Sequence, residues 1–565
     1  MRLIDRYFER TRTPAAELTR FFFAGLFRPE SVAGEDTFAA WLIQVLAVLI
    51  AASWFFPVQL FRRYLFLHEM ESPEPYRAAY SSDCLFTLVL MMLLVSAVTV
   101  IEWPALFPGR RDHLILTPLP ITRWQLFGAK LAALLLFIAL FVAAVTLLSS
   151  IAIPSIASGR WEPRPLALRM GALLAAAIGG CAFAFFSLLA TQGLLMLLLP
   201  VRWFEAASFG LQVALLLVFL CGFPLLPYLP AHYLATQQPP WIVWLPPCWF
   251  WGLAEWLAGA KDPRIGVLAW RAIAGGLVAV GLAASVYLGS YLTYGRLLLE
   301  SARRPRIVSL PGFGGPQSRA VSEFVLRTLL RGRQQKLIFL LIFGAGVALV
   351  VESSVYLFMH RQTLHAFGRE MQETAIGLPL TLSFFAMIGL RRVFRVPADL
   401  PANWIFQLTS DPKTRVLQLN AVFNTFVTVG ALPILVASAP LEFWVLGPMA
   451  FVVLLLQIVL ALALSEHLLT GWCAIPFTFA QNPARRPFVL SVVMHLGELS
   501  LYSVISAAWI QTGLHDFTWL AEFSLILVVA FLWLRRRRLR DWAESPIEFS
   551  ETGATSVEPL RLLAG

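Results

Sequence analysis

Twelve long apolar runs constrain this chain more than any other feature. They lie at about 39–60, 84–103, 126–153, 168–199, 206–228 and 267–294, then at about 337–358, 375–390, 417–440, 444–470, 487–511 and 519–534. A helix crosses the hydrocarbon layer with roughly 20 mainly apolar residues, so each run reads as a spanning helix. The composition agrees: 58% of the 565 residues are hydrophobic, 14% are charged, and mean hydropathy is +0.73. A soluble domain carries about 25% charged residues, so disorder, collagen-like repeats and an ordinary soluble enzyme are excluded. The expected fold class is an all-α polytopic membrane protein of about twelve transmembrane helices. Cys84, Cys181, Cys221, Cys248 and Cys473 are odd in number and form no CxxC, which fits neither a disulfide framework nor a zinc site.

The net charge of +11 reads as an orientation signal and not as a nucleic-acid footprint, because Lys and Arg gather in cytoplasmic loops. With the N-terminus inside, 33 of the 44 Lys and Arg residues fall in inside segments. That bias places both termini in the cytoplasm, and Arg535-Arg536-Arg537-Arg538 forms a basic stop after the last run. Arg62-Arg63, expected outside, is the local exception. No apolar segment followed by a small-residue cleavage site opens the chain, so no signal peptide is expected. Instead Arg2, Arg6, Arg10, Arg12, Arg20 and Arg28 interleave with Leu3, Ile4 and Phe21-Phe22-Phe23, the pattern of a helix lying in the interface. The outer loop at about 229–266 gathers Trp241, Trp244, Trp249, Trp251 and Trp256 among prolines. Both a short interfacial helix and a lipid-facing aromatic belt fit it.

The chain also repeats itself. Residues 116–123 read Leu-Thr-Pro-Leu-Pro-Ile-Thr-Arg and residues 408–415 read Leu-Thr-Ser-Asp-Pro-Lys-Thr-Arg, each in the loop after the second run of a six-run set. Phe21 to Arg28 and Phe324 to Arg331 match loosely ahead of each set. Duplication of a six-span unit accounts for both, with the halves related as parallel repeats. The implied organisation is a leader with an interfacial helix at 1–35, a first half at 36–296, and a basic linker with a second interfacial segment at 297–335. A second half at 336–535 and a cytoplasmic tail at 536–565 complete it.

In the repeated loop, Pro120 and Pro412 suit a turn or helix start. Thr122 and Thr414 can cap the following turn. Arg123, Lys130, Lys413 and Arg415 put cations at the cytoplasmic surface. A short capped helix that docks a soluble partner fits these residues, and so does a plain basic connector.

Residues 110–130, from Arg110-Arg111-Asp112 through Leu116-Thr117-Pro118-Leu119-Pro120 to Gly128-Ala129-Lys130, resemble the loop between the second and third spans of type-2 ATP-binding-cassette (ABC) exporter permeases. The resemblance implies two permease subunits fused in one chain, each with a coupling helix in this loop. It assigns coupling contacts to Asp112, Leu116, Thr117, Pro118, Pro120, Thr122, Arg123 and Lys130. In the second copy they fall on Leu408, Thr409, Pro412, Lys413, Thr414 and Arg415. There Ser410-Asp411 replaces the Pro-Leu step and Asn420 stands near the place of Lys130, so the second copy departs from the pattern. The implied partner is a separate cytoplasmic ATPase, in two copies, and the implied location is the bacterial inner membrane.

Chemistry of the chain's own is not legible. GxxxxGK[ST] and HExxH are absent, and no Ser/His/Asp nucleophile arrangement can be assigned; no catalytic residue, cofactor or metal is expected. His495 and Glu498 stand three apart in an apolar run and so share a helix face. Glu352, Glu466 and His467 are placed near the ends of other runs. Intramembrane ionisable residues are expensive to keep there. The alternative to an ABC permease is therefore an ion-coupled secondary transporter, or an intramembrane enzyme, that uses His495 and Glu498.

Overall fold

The computed structural model describes residues 14–27, 35–107, 122–299, 315–361, 367–398, 403–409, 415–478 and 488–544. These residues are helical and carry no strand. They form two compact units, divided near residue 304.

The first unit comprises α1 (Pro14–Phe27), α2 (Glu35–Glu69), α3 (Glu74–Ile101), α4 (Arg123–Ile156), α5 (Leu166–Leu198), α6 (Val201–Leu225), α7 (Ala231–Gln237), α8 (Pro246–Leu257) and α9 (Pro263–Leu299). The second comprises α10 (Pro316–Arg331), α11 (Arg333–His360), α12 (Phe367–Val393), α13 (Trp404–Thr409), α14 (Arg415–Gly430), α15 (Leu432–Leu446), α16 (Ala450–Leu469), α17 (Phe488–Leu499), α18 (Ser506–Gly513) and α19 (Phe517–Glu544). Ten stretches among the described residues are long and apolar enough to cross a membrane, one of them the compound segment Val416–Leu469. This is a polytopic helical protein. The run at 417–440, expected as one span, is broken at Ala431 into α14 and α15, because Pro433 in the first turn of α15 has no N–H to continue the ladder.

In the first unit α5 is the central helix, with α3, α4, α8 and α9 packed around it, and α1 lies along α4. Polar side chains bind the ends of the helices. The Gln212 amide donates to the Val100 carbonyl at 2.9 Å and the Gln192 amide to the Trp103 carbonyl at 2.8 Å, while Trp103 Nε1 donates to Ser208 at 2.9 Å. The two amides add side-chain donors to carbonyls at and just past the end of α3, where the helical ladder stops. Asp83, buried on α3, accepts from Arg63 at 2.9 Å and from Tyr64 at 2.8 Å on α2. Arg63, one of the two exceptions to the charge bias, thus has a local electrostatic partner. The tryptophan-rich loop divides: Trp251 is buried and Trp249 donates to the Val243 carbonyl, whereas Trp241, Trp244 and Trp256 are exposed. It is therefore part packed helix, part exposed aromatic surface.

In the second unit α12 is central, contacting α11, α14, α15, α16 and α18, and α10 lies along α14. Gly346 of α11 lets that helix approach closely, since a Cβ there would lie 2.8 Å from the Phe385 ring of α12.

Candidate functional site

Irregular backbone at membrane depth is tolerated only where it is buried in protein or lines a cavity. Two irregularities meet in the second unit. Pro379 interrupts the ladder of α12, and the segment Ser500–Ile505 between α17 and α18 winds as a π-helix, a feature frequent at functional sites. The two elements are joined by hydroxyls. The Thr381 and Ser503 hydroxyls lie 2.6 Å apart, and each is within hydrogen-bond reach of the Gly377 carbonyl, at 3.0 and 3.2 Å, so that one can donate to the carbonyl while the other donates to its neighbour. Behind them the Gln457 amide of α16 donates to the Ile376 carbonyl at 3.2 Å and to buried Glu442 at 2.6 Å.

Between α11, α12 and the π-segment lies an open cleft of about 590 Å³. Glu352, Ser353 and Tyr356 line it from α11, Glu370, Glu373, Thr374 and Thr381 from α12, and Ser503 from the π-segment, beside Leu349, Leu378 and Val504. No Lys or Arg is among its lining residues. The cleft therefore offers carboxylates and hydroxyls along an apolar wall. Volumes of roughly 300–1,000 Å³ with a few convergent polar groups are typical of small-molecule sites.

Of the residues singled out in the sequence, Glu352 lines this cleft. Glu466 lies elsewhere, in a buried ion pair with Arg538 of α19, whose NH2 donates to Oε1 at 2.9 Å and whose Nε donates to Oε2. Their side chains are 1% and 3% exposed. The guanidinium stacks over Phe423 of α14 and Trp542, and Trp542 Nε1 donates to the Trp472 carbonyl. This latch ties α19 to α16 and α14. His495 and Glu498 do meet, and His467 joins them: Glu498 Oε1 lies 3.2 Å from His467 Nε2 and Oε2 lies 2.9 Å from His495 Nδ1. No group of three or more His, Cys, Asp or Glu placed to hold a metal occurs among the described residues.

The repeated loop is described in part. Asp112, Leu116, Thr117, Pro118 and Pro120, with Pro412, Lys413 and Thr414, lie outside the described residues, as do Arg485, Arg486 and residues 545–565. Thr122 caps α4 in a capping box: Gln125 N–H donates to its hydroxyl and its own N–H donates to Gln125 Oε1. Arg123 and Arg415 are the first residues of α4 and α14, and Thr409 ends α13. Leu408 is 78% exposed, and Trp404 and Ile405 are exposed beside it. Lys130 differs from expectation. It is buried, 6% exposed, with its ammonium 4.8 Å from the centre of the Phe22 ring of α1. The amphipathic helix α1 covers that face of α4, so this cation is held inside and not at the surface.

Sequence reasoning missed Glu370, Glu373, Thr381, Ser503 and Arg538. The α12 residues had a signal, the helical spacing of 370, 373, 374, 377, 378 and 381 on one face. Ser503 and Arg538 had none, since their partners are distant in sequence. Compared with known proteins, the chain matches no family model, no curated protein and no solved structure.

Removing one partner of a buried ion pair leaves an uncompensated charge and costs about 3–5 kcal/mol, whereas replacing both by apolar groups is far milder. Arg538→Met should therefore lower thermal stability sharply, and Glu466→Leu combined with Arg538→Met should recover most of the loss. Equal losses in the single and double variants would show that the pair is not coupled.

Proposed function

We propose that the chain is a membrane transport protein, the permease component of an exporter driven by a separate ABC-type ATPase. The observation that carries the transport reading is the cleft, where carboxylates and hydroxyls stand among helices long enough to span. Polar groups are costly there and mark substrate or ion paths. The partner reading rests on the repeated loop. Its second copy presents Trp404, Ile405 and Leu408 outward on α13, and its first presents Trp124 on the capped start of α4. Exposed apolar residues on a short helix between spans suit the docking of a soluble protein.

Duplication is supported by an internal parallel. In each unit the amphipathic helix ahead of the first span packs on the helix that follows the repeated loop, α1 on α4 and α10 on α14. The parallel stops at the first span: α2 packs chiefly on α4, whereas α11 packs chiefly on α12. Twelve spans with both ends cytoplasmic remain the topology proposed, on the charge bias.

A second reading, ion coupling, is favoured by the assembled His467–Glu498–His495 group. Protonation of His467 would convert a hydrogen bond into an ion pair between α16 and α17, and protonation of His495 would do so within α17. The two readings part on energy source. Transport that collapses with the proton gradient, and with His495→Ala, supports ion coupling. Transport that follows a co-purifying ATPase supports the exporter.

Arg123→Glu reverses a charge at the docking loop, and Trp404→Ser with Leu408→Ser strips the apolar face of α13. Loss of a paired interfacial charge costs roughly 2–5 kcal/mol when buried and much less at the rim. The combined variant should fold, yet lose co-purification of the ATPase and its stimulated hydrolysis. Full binding and full transport in that variant would overturn the coupling assignment. For topology, cysteines introduced at residues 315, 405 and 550 should be shielded from an impermeant thiol reagent in intact cells, and one at 240 should react. Labelling at 405 from outside would reject the arrangement.

A further inference from the structure

The four consecutive arginines after the last apolar run are not equivalent. Arg538 is buried in the ion pair with Glu466, which fixes the rotation of α19 about its axis. At about 100° per residue, Arg536 and Arg540 stand roughly 200° and 160° round the helix from Arg538, on the opposite face. Both are exposed, as is Arg537, and none of the three is ion-paired with a carboxylate among the described residues. Together with Val529, Leu532 and Trp533 they line an open groove of about 610 Å³. Trp533 is exposed, and the Arg537 guanidinium lies 5.7 Å from the centre of its ring.

The groove is graded along the helix. Val529 and Leu532 are exposed apolar side chains on the span, Trp533 follows, and the cations come last. Hydrocarbon, interface and phosphate succeed one another in the same order across a leaflet. Arginine presents a rigid fork that matches phosphate oxygens two at a time. A rim of three arginines above an apolar trough complements an anion that carries an acyl chain, and a free anion would leave the trough uncovered.

We propose that this face of α19 is a binding site for an anionic phospholipid, its headgroup phosphate held by Arg536, Arg537 and Arg540 and its acyl chain laid along Leu532 and Val529. The buried Arg538 is the anchor that presents the other three. The site is independent of what the protein transports.

The test uses the purified full chain in mixed micelles of phosphatidylcholine and phosphatidylglycerol, with retained lipid counted by native mass spectrometry. A basic residue beside an anionic surface is worth roughly fivefold, so three give up to about a hundredfold in the limit. Wild-type protein should retain phosphatidylglycerol over phosphatidylcholine by at least about tenfold, with the preference falling as salt rises. The triple variant R536Q/R537Q/R540Q, altered only on exposed side chains, should elute and melt like wild type and lose the preference. Trp533→Ala should reduce retention of both lipids. Equal retention by wild type and the triple variant would overturn the proposal. So would displacement of the lipid by millimolar glycerol phosphate, which would make this a site for free phosphate.

Discussion

Every backbone N–H and C=O within hydrocarbon must find its partner inside the protein, and the layout of this chain follows from where that rule is strained. Along uninterrupted helices the ladder meets the demand locally. At the exceptions, side chains stand in, most of them from neighbouring helices. Gln212 and Gln192 serve carbonyls where α3 ends, and Gln457, Thr381 and Ser503 serve carbonyls of α12 just before Pro379. Each such bond contributes about 1 kcal/mol net, but an unsatisfied buried group costs more. These contacts therefore help to fix which helices can be neighbours. The cleft opens where α12 and the π-segment face each other, with the Gly377 carbonyl in reach of a hydroxyl from each.

Charge obeys the same economy of partners. Asp83 is held by Arg63 and Tyr64, and Glu466 by Arg538 under two aromatic rings. A buried pair of this kind is weak evidence for stability, because desolvation offsets most of the attraction. Its effect here is on geometry. The Glu466–Arg538 pair sets the rotational register of α19, and with it the face on which the remaining arginines appear. The cleft carboxylates differ, being set along an open groove with no cation among the lining residues.

Much of this protein was legible in its sequence for a physical reason. The cost of moving polar backbone and charge into hydrocarbon is so large that apolar runs and turn residues dictate helices almost alone. The all-helical polytopic class, the helices under each apolar run, the cap at Thr122 and the meeting of His495 with Glu498 on one face are local properties of this kind. What tertiary structure alone decided is which distant residues share a space. His467 joins Glu498 from another helix, Arg538 rather than its three neighbours turns inward, and Lys130 is covered by Phe22. Glu352, Glu370, Glu373 and Ser503 reach one cleft although they come from three segments. Helical periodicity names the face on which a residue lies. The partner opposite that face is set by packing between elements far apart in the chain.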